Sequence, residues 1–125
     1  MDPKVIEGYL LSQPEAVVSY PFGDDVQVFK VKNKMFATLS LGKMGKSEDE
    51  TDNWWLNLKC DPDKAISARE HYDSVLPGYH MSKKHWNTIL LDDSIPNNLI
   101  KEWIDDSYDL IVLGLPKKLR TELVK

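Results

Sequence analysis

The sequence predicts one α+β domain in which helices cover an antiparallel sheet. The first observation is length, because 125 residues suit one compact domain and leave little room for a second. The second is the alternation of apolar and polar residues in several short segments, two of which are joined as a hairpin. The third is the order of elements, which runs helix, several strands, helix, strand and helices and favours an antiparallel sheet. We therefore assign residues 1–125 to a single domain.

The composition is that of a folded domain rather than a disordered chain. Hydrophobic residues make up 42% of the sequence and charged residues 29%, which supplies enough apolar material for a core. The 16 Lys and Arg residues against 20 Asp and Glu residues give a net charge of -4. This sum excludes the whole-surface positive field of many nucleic-acid binders, so any affinity for nucleic acid must come from a local patch.

Cysteine usage and hydropathy indicate the compartment. A single cysteine, Cys60, cannot form an intramolecular disulfide, which favours a reducing environment. The N-terminus carries charges at Asp2, Lys4 and Glu7 and lacks the basic start and cleavage site of a signal peptide. The longest apolar run, residues 110–113, is far below the roughly 18 residues of a spanning helix. We expect a cytoplasmic monomer with no membrane partner.

The N-terminal segment predicts a short helix followed by a strand. Apolar residues recur at helical spacing from Val5 to Leu10. Pro3 suits the first turn of that helix, and Pro14 ends it. Residues 15–22 are rich in β-branched and aromatic side chains, so they form the first predicted strand.

Residues 25–41 predict a β-hairpin, because the alternation continues on both sides of Asn33. The tip falls at Lys32, Asn33 and Lys34, where asparagine tolerates the positive φ of a tight turn. One face of the second arm is expected to hold Met35, Ala37, Leu39 and Leu41.

The middle of the chain predicts a loop, a strand and a helix. Residues 42–52 combine two glycines with a run of acids, which is typical of a solvated loop. The next segment, NWWLNLKC, alternates again, and its predicted core side carries Trp54, Leu56, Leu58 and Cys60. Asp61 is expected to cap a helix that starts at Pro62 and ends before Pro77.

The C-terminal third predicts one more strand and two helical regions. Residues 85–92 are predicted to form the strand. Ser94 is expected to cap the helix that follows. The apolar stripe of this helix holds Leu99, Ile100, Trp103 and Ile104. The polar residues 105–109 are expected to separate this helix from a last helical region that starts at residue 110.

Three segments resemble the MmcQ/YjbR family of small bacterial proteins. They read YPFGDDVQVFKVKNKMFA, LNLKCDPDKA and PGYHMSKKHWNTILLDDSIPNNLIKEWIDDSYDLIVLGLPKK, in that order, and the likeness runs from about Ser19 to Lys118. The resemblance implies a CyaY-like (frataxin-like) fold and a "double-wing" DNA-binding role, and it implies no catalytic residues. Many relatives have glycine before the Lys-Met-Phe-Ala stretch, where this chain has Asn33.

Lysines concentrate at turns, where flexible cations can meet phosphates along a groove. The predicted contacts with double-stranded DNA are Lys30, Lys32, Lys34, Lys43, Lys46, Lys83, Lys84, Lys117, Lys118 and Arg120. The chain has only two arginines, which favours contact with the DNA backbone over bidentate readout of guanine. Lysines at turns also keep a surface soluble and protect strand edges, and composition does not separate the two roles.

An alternative function is an accessory domain that binds a small molecule or a protein. Its predicted pocket is an aromatic cleft near strand ends, formed by Trp55, Tyr79, His80 and His85.

Catalytic and metal chemistry find no support in the sequence. The histidines and Cys60 lack the spacing of known metal motifs, and Cys60 on the inner side of a strand is expected to be a packing thiol. Adjacent acids such as Asp92 and Asp93 do not face one another, so they make poor acid/base pairs. We predict no enzyme activity, no metal and no cofactor.

Overall fold

The computed structural model describes residues 2–42, 53–79 and 81–123. The described residues form an α+β fold in which helices accompany one six-stranded sheet, as predicted. The strands are β1 (Val17–Ser19), β2 (Val26–Val31), β3 (Lys34–Leu41), β4 (Trp54–Lys59), β5 (Val75–Pro77) and β6 (Trp86–Leu90). The helices are α1 (Pro3–Leu11), α2 (Pro62–His71), α3 (Asn97–Leu113) and α4 (Lys117–Leu123). The sheet order is β1-β2-β3-β4-β6-β5, and every neighbouring pair is antiparallel.

The core lies between one face of the sheet and the helices α1 and α3. Ile6 and Leu10 of α1 and Ile100 and Ile104 of α3 are buried against strand residues that include Leu56. The burial of these apolar side chains is the main favourable contribution to folding. Trp103 and Trp54, both predicted for the core, are partly buried at its margin.

Helix α1 is also held to α3 by polar contacts. The Tyr9 hydroxyl donates to Asp105 at 2.7 Å, and the Gln13 amide donates to the same carboxylate at 2.8 Å. The Tyr108 hydroxyl donates to the carbonyl of Pro14 at 2.7 Å, just after α1 ends. These bonds fix the N-terminal helix over the sheet.

The β2–β3 turn confirms the predicted hairpin. Lys32 and Asn33 occupy the two turn positions with φ of 48° and 66°, and Lys34 already begins β3. Two consecutive positive φ values are those of a two-residue turn that matches the twist of the flanking strands. Asn33 takes the left-handed conformation that glycine would otherwise supply.

Replacing Asn33 with valine is expected to lower the free energy of unfolding by about 1 to 2 kcal/mol, because a β-branched side chain disfavours this backbone region. Urea denaturation followed by circular dichroism measures the change. Asn33→Gly is the matched control and should be at least as stable as the unmodified chain. Equal stability of the valine and glycine variants would contradict the turn geometry.

A β-bulge changes which side chains of β3 reach the core. Phe29 pairs with Ala37 and Lys30 pairs with Met35, so Phe36 is an extra residue in its strand. A bulge turns two successive side chains toward the same side. Phe36 and Ala37 are accordingly both 0% exposed, and the prediction that Met35 would share a face with Ala37 was wrong.

Helix α2 is shorter than predicted. It ends at His71, whereas the prediction carried it to the stop at Pro77, and residues 75–77 instead form the edge strand β5 against β6. Asp61 occupies the cap position of α2, but its side chain makes no capping hydrogen bond.

Helix α3 is longer than predicted. It begins at Asn97 after Pro96, so Ser94 is not its cap, and it continues without a break through the polar residues 105–109. Ser94 instead donates its hydroxyl to Asp92 at 2.6 Å.

No helix in the described ranges is both long enough and apolar enough to cross a membrane.

Candidate nucleic-acid interface

Strand pairing brings two lysine-bearing turns to one end of the sheet. The β2–β3 turn adjoins the start of β3. The start of β3 lies beside the end of β4, because the two strands are antiparallel. The last residue of β4, Lys59, pairs in turn with Trp86 at the start of β6. The β5–β6 loop leads into Trp86, so it projects from the same end as the hairpin tip. We call this the lysine end, and it comprises Lys30, Lys32, Lys34, Lys83 and Lys84.

The two turns flank the central strand. The β2–β3 pair and the β6–β5 pair lie on either side of β4 in the sheet order. With neighbouring strands about 4.8 Å apart, the midlines of the two pairs are roughly 14 Å apart. Lys59, at the end of β4, lies between them and is a cation that the clustering of lysines at turns does not predict.

Lys32 is already neutralised at the hairpin tip. Its ammonium group lies 3.0 Å from the Glu15 carboxylate and 3.2 Å from that of Glu122. Hydrogen bonds to Glu15 and then Glu122 raise the pKa of Lys32 above its ordinary value. Because Glu122 belongs to α4, this ion pair also brings that helix beside the hairpin.

The β5–β6 loop is anchored at its base. Gly78 donates its N–H to the carbonyl of Trp86 at 2.9 Å, and a Cβ on Gly78 would lie 2.7 Å from the Trp86 Cβ. The Lys83 ammonium donates to the carbonyl of Gly78 at 3.0 Å, and Arg69 donates to the carbonyl of Lys83 at 3.3 Å. Lys83 therefore helps to shape the loop.

Lys34 and Lys84 are the most available cations of the lysine end. Both are exposed, and the ammonium group of neither has a hydrogen-bond or ion-pair partner among residues 2–42, 53–79 and 81–123. They belong to different turns, one beside the hairpin tip and one in the β5–β6 loop. Lys30 is half-buried on β2.

The remaining predicted cations divide into two groups. Lys117 and Lys118 are exposed at the start of α4, which the Lys32–Glu122 ion pair places near the hairpin. Arg120 is half-buried, and its Nε has no hydrogen-bond partner within the described part of the chain. Lys43 and Lys46 lie outside the described residues.

The opposite end of the sheet is acidic. Asp24 and Asp25 precede β2, and Asp92 and Asp93 follow β6. Burial acts to raise the pKa of Asp92, but hydrogen bonds from Ser74 and Ser94 outweigh it and hold that pKa below its ordinary value. Among the described residues, the turns of the lysine end therefore carry mainly lysines, although Glu15 and Glu122 pair with Lys32 there. The segments at the other end carry these four aspartates.

The predicted aromatic cleft is largely filled by its own rings. Trp55 packs edge-to-face on Tyr79 with ring centroids 5.8 Å apart, and Trp55 is only 6% exposed. Its indole therefore offers almost no free surface to a ligand. His85 is exposed in the β5–β6 loop, and His80 lies outside the described residues.

Cys60 is less buried than the sequence predicted. It follows the last residue of β4 and is only partly buried. Burial, followed by the carboxylates of Asp106 and Asp61, raises the pKa of the Cys60 thiol above its ordinary value. A raised pKa lowers the thiolate fraction and so disfavours nucleophilic chemistry.

In the described segments, no group of three His, Cys, Asp or Glu side chains could hold a metal ion.

Comparison with known proteins identifies relatives along nearly the whole chain. A family model described as YjbR matches residues 11–110. The uncharacterized protein YbdF of Escherichia coli O157:H7 is 37% identical over 108 residues, which cover 86% of this chain and 82% of YbdF. The uncharacterized protein YjbR of Escherichia coli K12 is 37% identical over 70 residues, 56% of this chain and 59% of YjbR.

A solved structure has the same fold. The crystal structure of Deinococcus radiodurans protein DR2400, with a DUF419 domain, superposes with a TM-score of 0.82 at 32% sequence identity. The superposition covers 97% of this chain and 86% of that protein.

Proposed function

The chain belongs to the YjbR family, and we propose that it binds double-stranded DNA by contacting the phosphate backbone with its lysine end. The proposed binding is non-catalytic and needs no cofactor. One observation carries the proposal, namely that two lysine-bearing turns project from the same end of the sheet on either side of β4.

The spacing of the two turns suits a duplex. Their separation of roughly 14 Å is close to the width of the major groove of B-DNA, about 12 Å, so one turn can meet each phosphate rail. We propose that the β2–β3 and β5–β6 turns are the two wings of a double-wing module. The helices on one face of an antiparallel sheet support a CyaY-like classification of the fold.

The side chains favour backbone contact over sequence readout. Lys34 and Lys84 are exposed ammonium groups, which bind phosphates as point charges. Neither arginine is an exposed side chain free to read bases: Arg69 donates to the carbonyls of Ala65 and Lys83, and Arg120 is half-buried on α4. We therefore expect binding that depends little on DNA sequence.

The acidic end gives the complex an orientation. A phosphate backbone is attracted to the lysine end and repelled by Asp24, Asp25, Asp92 and Asp93 at the other end. Because the whole chain carries a charge of -4, the attraction is confined to the lysine end. Since Lys34 and Lys84 are exposed, salt screens this attraction strongly.

Fluorescence anisotropy with a labelled duplex, measured over a series of salt concentrations, tests the proposal. Three to five phosphate contacts predict that log affinity falls against log salt with a slope of roughly -3 to -5. Duplexes of unrelated sequence should give similar affinities. Absence of duplex binding at low salt would contradict the proposal and favour an accessory domain that binds a small molecule or a protein.

A further inference from the structure

A pocket between α2 and α3 is not used by the proposed DNA contact. Its inner part, of about 40 Å³, is lined at its base by Leu58, Asn87 and Ile89 of the sheet. Its outer part is a groove of about 330 Å³ between the two helices. The two parts share the lining residues Lys64, Ala68, Trp103 and Asp106, so they adjoin one another at these side chains.

The base of the pocket holds an unsatisfied hydrogen-bond acceptor. Asn87 is 4% exposed, and its amide nitrogen donates to the carbonyl of Ala65 at 3.2 Å. This bond fixes the orientation of the amide, because the reverse orientation would face the Asn87 oxygen toward the carbonyl oxygen. The Asn87 Oδ1 has no partner within the described segments. A buried acceptor without a donor costs about 1 to 3 kcal/mol, so a donor that enters the pocket is favoured.

The other lining groups define what kind of donor fits. Lys59 and Lys64 bring two positive charges and Asp106 one negative charge, so the charges of the inner pocket are mixed. Ala68 and the Trp103 indole supply apolar surface next to them. The Cys60 thiol also lines the pocket, and its raised pKa keeps it protonated, which favours reversible binding over a covalent step.

The size of the two parts limits the shape of the ligand. An inner volume of about 40 Å³ admits a head no larger than a hydroxyl or a small N–H group. The groove of about 330 Å³ lies at the small end of the range for ligand sites, roughly 300 to 1,000 Å³, and accommodates a single ring beside Trp103.

We propose that this pocket binds a small neutral aromatic molecule with one O–H or N–H donor, whose donor meets Asn87 Oδ1 and whose ring lies along Trp103 and Ala68. The pocket contains neither Lys34 nor Lys84, so this inference is tested separately from the DNA-binding proposal, and Lys59 is the one residue that lies both in the pocket lining and between the two turns.

Phenol is the probe, and anisole is its matched control without the donor. Nuclear magnetic resonance titration should show saturable shifts of the Asn87 side-chain amide and of the Trp103 indole with phenol. Anisole should bind at least about tenfold more weakly, because it leaves Asn87 Oδ1 unpaired. Phenol should also slow the labelling of Cys60 by a maleimide. Equal affinity for the two compounds, or no saturable shift with phenol, would overturn the proposal.

Two variants and a control connect the binding to the pocket. Ala68→Leu fills the junction between the inner and outer parts and should abolish the phenol shifts. Asn87→Leu removes the acceptor, so phenol and anisole should bind equally to a variant that folds. Ile66→Ala changes an exposed residue of α2 outside the pocket lining and should bind phenol normally. Unchanged phenol binding by Ala68→Leu would overturn the assignment to this pocket.

Discussion

Replacing Ser107 with alanine is expected to lower the free energy of unfolding by about 2 to 3 kcal/mol. Ser107 is fully buried on α3, where its hydroxyl donates to the carbonyl of Phe36 at 2.6 Å and accepts from the N–H of Lys59 at 2.9 Å. It therefore connects β3 to β4 just beyond their last paired residues, Ala37 and Leu58. Alanine leaves both backbone groups without this partner.

Thermal and urea denaturation measure the effect, which corresponds to a fall in Tm of roughly 10 °C. Ser67→Ala is the control, because Ser67 is exposed on α2 and its replacement should change stability by less than about 0.5 kcal/mol. Ser107→Cys keeps most of the side-chain volume but bonds weakly, so it should fall between serine and alanine. If Ser107→Ala is as stable as Ser67→Ala, the hydroxyl does not connect the strands.

The double variant Lys34→Ala and Lys84→Ala is expected to weaken duplex DNA binding by at least about tenfold and to reduce the salt slope by about 2. It removes one available cation from each turn of the lysine end. Since the slope reports released counterions at about 0.9 per phosphate contact, its change counts the contacts that were lost. All duplex sequences should be weakened alike, and fluorescence anisotropy measures both quantities.

The control pair, Lys4→Ala and Lys101→Ala, makes the same change in net charge away from the lysine end. Lys4 lies on α1 beside the acidic cleft that contains Asp24 and Asp25, and the Lys101 ammonium lies 5.4 Å from the centre of the Tyr9 ring. This pair should leave the salt slope unchanged. If both pairs reduce the slope equally, net charge rather than the lysine end governs binding. An unchanged slope in the variant that lacks Lys34 and Lys84 would show that DNA binds another surface. Lys117 and Lys118 are then the next candidates.

Lys32 illustrates what the sequence could not reveal about the interface. Its position at the hairpin tip was predicted from the turn, but its ion pairs join it to Glu15 and Glu122, residues far away in the sequence. Only these tertiary ion pairs decide that Lys34, rather than Lys32, is available at this turn. The grouping of Lys84 with Lys34 likewise depends on strand order.

The sequence by itself determined the local elements. Proline positions and helical spacing located α1, alternation located β4 and β6, and asparagine at position 33 located the turn between β2 and β3. These features depend on backbone preferences and on side-chain periods that operate within a few residues. They also sufficed for the α+β class, because the order of elements constrains how they can pair.

The tertiary structure decided the features that depend on distant partners. Strand β5 has three residues, too few for a period to be visible, and it exists through its pairing with β6. Phe36 reaches the core because of a bulge against β2. Within the helical residues 105–109, Asp105 bonds α1, Tyr108 is buried in the core, and Ser107 bonds the ends of β3 and β4. The unpaired oxygen of Asn87 belongs to a side chain in a pocket that β4, β6, α2 and α3 line together. In each case the energy comes from a contact between segments far apart in the chain, and such contacts leave no periodic signal in the local sequence.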